Sequence, residues 1–187
     1  MKAPALTACL IASLAAAGCA TDAARQPVPE ITYAQAANSE LVATNYRAAD
    51  ALLAQFGGTS GAGPLIVATV VNIDALEQSS TLGRMISEQL SARLSQRGWQ
   101  MVELKLRGSI YMRRGEGELI LTREISDIAR SNKAQAIVLG SYAVGASFVY
   151  VNLKIVQPVS NAVLSAHDYV LPANQEVRSM LGRNTGR

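Results

Sequence analysis

Cys19 is the residue in this chain whose neighbours most plainly prescribe a reaction. It follows Leu14-Ala15-Ala16-Ala17-Gly18, and small side chains directly before a cysteine match the cleavage box of lipoprotein signal peptidase. The thiol then carries a diacylglycerol thioether, and the α-amine freed by cleavage carries a third acyl chain of the palmitate class. Each buried methylene contributes about 0.8 kcal/mol and one myristoyl chain binds only marginally, so two or three chains on one residue give lasting attachment. Upstream, Met1-Lys2 and the apolar run from Ala3 to Ala17 have the charge and hydropathy of an export signal. That run falls short of the roughly 18 to 20 residues of a permanent span. Ala15-Ala16-Ala17 also meets the A-x-A rule of the general signal peptidase, which leaves ordinary secretion as the alternative. Cys9 lies inside the signal, so the processed chain keeps Cys19 alone and forms no internal disulfide. A lone N-terminal thiol is out of place on a soluble protein in an oxidising compartment, which favours lipidation. Ala20 stands where an aspartate commonly retains lipoproteins at the inner membrane. The expected location is therefore the outer membrane, lipid-anchored and facing the periplasm.

Other chemistry is sparse. His167 is the single histidine, beside Asp168 and two positions from Ser165. On a strand Ser165 and His167 share a face and Asp168 points to the other, a poor geometry for a nucleophilic relay. No metal-ligand spacing exists, because zinc wants several Cys or His ligands and the processed chain has one of each. Glu116, Glu118 and Glu124 are accounted for by helix caps and solvated loops. The expectation is a non-enzyme with no catalytic residues, no metal and no cofactor. Tyr111, Arg113 and Arg114, with Arg107, form a basic loop that is a candidate contact for an acidic partner or lipid headgroups. The formal charge of +3, less the positive charge of Lys2, gives +2 for the processed chain, too little for a nucleic-acid binder.

The elements that would position these residues follow from periodicity. Residues 1–18 read as signal, and 19–38 as the lipidated cysteine with a flexible linker broken by Pro27 and Pro29. An α/β domain follows over 39–171, and 172–187 reads as a polar tail. Leu41, Val42, Tyr46, Ala49, Leu52, Leu53 and Phe56 recur at helical steps after Asn38 and Ser39 as caps. The glycine-rich stretch 57–63 precedes a strand and lacks Gly-Lys-Ser/Thr, so it is a loop and not a phosphate cradle. Pro64 to Ile73 is a β-branched run expected to form one central strand. Ser79-Ser80-Thr81 offer caps for a helix with Leu82, Met85, Ile86, Leu90 and Leu94 inward, stopping at Gly98. Trp99 to Arg107 alternates as a strand, and Thr122 caps a second helix with Ile125, Ile128 and Ala129 inward, ending near Asn132. Strands over Ala136–Val144, from Val149 to Ile155 and from Ala162 to Leu171 complete a helix then β-α-β-α-β-β-β order. The polar residues and period of two between Ala134 and Val156 indicate a sheet hairpin, not a membrane span.

Three stretches are similar to a known family. Val67-Ala68-Thr69-Val70-Val71-Asn72-Ile73-Asp74-Ala75-Leu76-Glu77-Gln78-Ser79-Ser80-Thr81-Leu82-Gly83-Arg84, running into Ser87-Glu88-Gln89-Leu90, resembles the signature of the FlgO family of flagellar outer-membrane lipoproteins. So do Val102-Glu103-Leu104-Lys105-Leu106-Arg107 with Gly117-Glu118 and Thr122-Arg123-Glu124, and Leu139-Gly140-Ser141-Tyr142 with Tyr150-Val151-Asn152-Leu153-Lys154. The likeness spans about Tyr46 to Leu171; Thr122 stands where serine is expected and Leu119 where an aromatic is common. The resemblance implies a mixed sheet with helices packed on it, similar to TolB N-terminal and CsgG-like domains. It also implies a structural role in flagellar assembly or anchoring and hence motility. Expected partners are outer-membrane lipid through the Cys19 acyl chains, flagellar basal-body or other envelope proteins, and further copies of the chain. Contacts are expected at the Tyr111, Arg113 and Arg114 loop and along the edge of the terminal hairpin. The alternatives are a structural lipoprotein of another envelope or secretion complex and, from a different class, an enzyme acting on envelope polymers.

Overall fold

A computed structural model describes residues 32–34, 39–76, 78–102 and 125–182. The signal, Cys19 and the loop with Arg107, Tyr111, Arg113 and Arg114 lie outside the described residues. Within the unit Ala37–Arg187, helix α1 (Glu40–Gln55) leads to strands β1 (Leu65–Val67) and β2 (Val71–Asn72). Helix α2 (Thr81–Gln96), strand β3 (Met101–Val102) and a helical stretch α3 (125–131) follow. Strands β4 (Ala136–Val144), β5 (Phe148–Val156) and β6 (Val163–Pro172) and helix α4 (Gln175–Met180) complete the described fold.

The sheet runs β3-β1-β4-β5-β6, with β2 also paired to β4. Pairs β1–β3, β1–β4 and β2–β4 are parallel, while β4–β5 and β5–β6 are antiparallel. This is the mixed α+β sheet that the alternating elements predict. The pleat sends successive side chains to opposite faces, so Leu65 and Val138 join α1, α2 and α4 in one core, whereas Ile66 and Ile137 pack with Ile125 and Ala129 of α3 in another. Strands β4 and β5 form the hairpin foreseen between Ala134 and Val156. Among the described residues no helix is long and apolar enough to cross a membrane.

Four local readings are corrected. The run Pro64 to Ile73 is not one strand, and β4, not this run, lies in the middle of the sheet. It is interrupted at residues 68–70, where the Ser87 hydroxyl donates to Ala68 O at 3.1 Å and accepts from Val70 N at 2.8 Å. One side chain of α2 thus satisfies backbone groups that a continuous strand would give to its neighbour. On α2, Met85 faces outward and is exposed, while Gly83 and Ser87 take the buried positions beside Leu82, Ile86, Leu90 and Leu94. On α1, Asn45 and Ala48 are buried, Tyr46 is only half-buried, and the Ser39 side chain makes no capping bond. Residues after Pro172 do not form a wholly polar tail. Asn174 caps α4 by accepting from Val177 N at 2.9 Å, and Ala173 and Val177 join the core. Apolar burial outweighs the polar average of that segment.

Other boundaries match the periodicity closely. Ser80 caps α2, its hydroxyl accepting from Gly83 N at 3.1 Å, and the helix gives way to Gly98 at φ +84°, a backbone conformation that glycine adopts without a Cβ penalty. Of the strand expected over Trp99 to Arg107, Met101 and Val102 pair with β1, and 103–107 lie outside the described residues.

Candidate functional site

The three residues of the weak catalytic reading are not assembled. Ser165 is buried and its hydroxyl donates to Leu52 O at 2.8 Å. His167 is half-buried, stacked on Tyr169 with ring centroids 6.2 Å apart. Asp168 lies on the opposite sheet face, where its carboxylate accepts from Asn152 Nδ2. Among the described residues no group of three His, Cys, Asp or Glu side chains is placed to hold a metal ion.

The polar residues of the long signature stretch turn out to build a joint. Ser79 Oγ donates to Val70 O at 2.8 Å, and Ser87 Oγ bridges Ala68, Val70 and Gly83. A Cβ on Gly83 would sit 2.2 Å from Val70 O, so only glycine lets α2 approach the strand this closely. Asn72 Oδ1 accepts from Asp74 N at 3.1 Å, and Ile73 N donates to Tyr142 O at 2.9 Å. These residues lock the break between β1 and β2 against the start of α2. A generic strand-helix unit, having no such break, would not require them.

A second polar constellation ties α1 to the rest. Buried Asn45 accepts from the Tyr169 hydroxyl at 2.6 Å and donates to Gln89 Oε1 at 2.6 Å. Burial pushes the Tyr169 phenol well above its usual range. Asp50 is gripped by two guanidinium groups, from Arg97 at 2.8 and 2.7 Å and from Arg93 at 3.0 and 2.7 Å. These bonds, Arg97 first, hold its carboxyl well below the ordinary carboxylate range. Arg93 also lies over the Tyr46 ring, 5.4 Å from its centroid. Position 45 carries no apolar signal, so helical periodicity passes over it.

Among the described residues, the face of β5 and β6 turned away from α1 carries exposed apolar side chains. Opposite residues there are Phe148 with Pro172, Tyr150 with Val170, Asn152 with Asp168, and Lys154 with Ala166. Tyr150 is 54% exposed, Val170 46% and Phe148 44%, so large apolar side chains occupy positions whose alternation predicts a solvated face. Leu164 is also exposed on β6. The signal was present in the sequence: Phe148 and Tyr150 share their parity with Asn152 and Lys154.

Comparison with known proteins places this geometry. No curated protein matches the chain. Among solved structures, the C-terminal domain of LpoB from Escherichia coli aligns with a TM-score of 0.53 and 12% identity, over 71% of this chain and 98% of that one. The LpoB C-terminal domain from Salmonella enterica aligns with a TM-score of 0.51 and 13% identity, again over 71% and 98%. At such identities the likeness establishes the fold. The model of the FlgO protein family matches residues 46–176, from within α1 to within α4 and across the whole signature joint. This chain belongs to the FlgO family.

Proposed function

We propose that the protein is an outer-membrane lipoprotein, anchored through acyl chains on Cys19, that supports flagellar assembly or anchoring and hence motility without catalysing a reaction. The observation that carries this reading is the family match over residues 46–176, joined to the cleavage box that ends at Cys19. In this reading the 19–38 linker holds the domain off the lipid surface. The domain offers faces to flagellar basal-body or other envelope proteins and to further copies of itself. The loop with Tyr111, Arg113 and Arg114 is a proposed contact for acidic groups.

The test is swimming of a deletion strain complemented by wild type and by Cys19→Ala, with detergent partitioning of each protein. The expected result is lost swimming, restored by wild type and not by Cys19→Ala, with wild type in the detergent phase and the variant in the aqueous phase. Normal swimming in the deletion strain with a leaky envelope would overturn the flagellar role in favour of another envelope complex. Wild type in the aqueous phase would overturn the anchor.

A further inference from the structure

Strand β6 ends the strand order and is paired on one side, by β5. Among the described residues no strand lies on its other side. Natural edges are blunted by proline, lysine, a bulge or a covering element. Strand β6 has no lysine, and its one proline is its last residue, Pro172. Its bulge leaves Leu164 without a β5 partner between Val163 and Ser165, so the regular, unblunted edge runs from Ser165 to Leu171. Helix α1 touches β6 through Ser165 and Tyr169, side chains of one face, and so covers that face.

We propose that β6 pairs antiparallel with β6 of a second copy of this chain, about a two-fold axis at His167, joining the two sheets into one. A two-fold perpendicular to the sheet sets residues of one face opposite each other, which restricts the centre to whole residues. Centring on Asp168 opposes two carboxylates, which is destabilising. Centring on Ala166 sets Asp168 against Leu164. Centring on His167 sets Ala166 opposite Asp168 within the regular stretch and brings the bulged Leu164 near Val170, both exposed in the single chain.

That register also completes a charge pattern. Lys154 is the β5 neighbour of Ala166, and Asn152 is the β5 neighbour of Asp168. Across the axis the order on the open face becomes Asn152, Asp168, then Ala166 and Lys154 of the second copy. Lys154 of that copy stands two strand spacings from Asp168, roughly 10 Å between Cα atoms. Only the methyl of Ala166 lies between, so the lysine stem can lie over it and bring the ammonium to the carboxylate. Symmetry makes the pair twice. The exposed row of Tyr150 and Val170 ends beside the bulged Leu164 of the second copy. This gives the self-contact in the functional reading a strand and a register, and it holds whether or not the role is flagellar.

The test uses the intact protein in detergent. His167→Cys should cross-link to a dimer under mild oxidation, while Ser160→Cys in the exposed β5–β6 turn and the unsubstituted protein should not. Lys154→Glu and Asp168→Lys should each weaken dimerisation by about tenfold in sedimentation, for roughly 1.4 kcal/mol, with circular dichroism unchanged. Lys154→Glu combined with Asp168→Lys should restore it, since the swapped charges meet again across the axis. Sedimentation as a monomer across micromolar concentrations overturns the proposal. So does a dimer in which Ser160→Cys cross-links as well as His167→Cys, or single charge variants whose combination fails to recover. Because these measurements read association and not swimming, their failure leaves the flagellar reading standing, and the reverse also holds.

Discussion

The Tyr169 hydroxyl on β6 donates to Asn45 Oδ1 on α1 at 2.6 Å, across 124 positions of sequence. Asn45 is fully buried and passes the connection to Gln89 on α2, so one amide joins the first helix, the second helix and the last strand. A buried amide without partners is costly, and here both ends of the side chain are satisfied.

Tyr169→Phe should therefore lower stability by about 1–2 kcal/mol, and Asn45→Ala by more, since it removes both bonds. The two losses should be less than additive in a double-mutant cycle read by urea denaturation. Burial also raises the folded-state pKa of Tyr169. Its neutral form then contributes fully below the unfolded phenol value near about 10, and the contribution is lost as pH rises beyond it. Tyr169→Phe should flatten that alkaline slope.

Ser87→Ala should cost about 2 kcal/mol, because it leaves Val70 N and Ala68 O without their shared partner in the interior. Gly83→Ala should be worse, its methyl meeting Val70 O head on. Thermal denaturation of the two variants checks the order. Ser87→Ala as stable as wild type would mean that the interruption at residues 68–70 closes into a regular strand.

Asp50 gives an acid dependence. Its folded pKa is depressed by Arg97 and Arg93, so the contribution is present above the unfolded carboxylate value near about 4 and lost as pH falls below it. Its side chain is 29% exposed, and solvent screening limits the gain to about 1 kcal/mol. The stability gap between wild type and Asp50→Asn should be full at neutral pH and shrink below about pH 4, as urea titrations at several pH values would record.

Val177→Ala should lose about 1.5 kcal/mol from removal of buried methyl surface, and truncation after Pro172 considerably more. Truncation also removes Arg178, whose guanidinium donates to Ala173 O at 2.6 Å and to Ala146 O at 2.7 Å. A truncated chain with wild-type melting would show that α4 is dispensable to the fold.

The antiparallel half of the sheet is legible in the sequence because Val149, Val151, Leu153 and Ile155 alternate with polar or exposed partners, and β4 to β6 fall where that period places them. The parallel half is less so. Nothing in Ala68-Thr69-Val70 marks an interruption, since these residues suit a strand and the cause is a serine 17 positions from Val70. Met85 sits at a helical step but faces out because Gly83 and Ser87 claim the approach to the strand. Helix α4 is short and polar on average, and only tertiary burial of Val177 reveals its docking. The polar signature could be recognised as distinctive from its composition, but its work as a joint needed the hydrogen bonds. Parity marks Phe148 and Tyr150 for the open face, but setting Val170 beside Tyr150 needed the register between β5 and β6.

The bond that opens this Discussion has a kinetic side. Its two ends lie in the earliest helix of the domain and in the final strand, and Leu52 with Ser165 repeats the pattern. A chain threaded or synthesised from its amino end can dock that helix on α2 early, but must keep the part of its face that meets β6 uncovered until almost all the polypeptide has arrived. Completion of this domain is thus timed by its tail, and a helper that shelters α1 in the interval should speed the yield of native protein more than one acting on the hairpin, whose partners are close at hand.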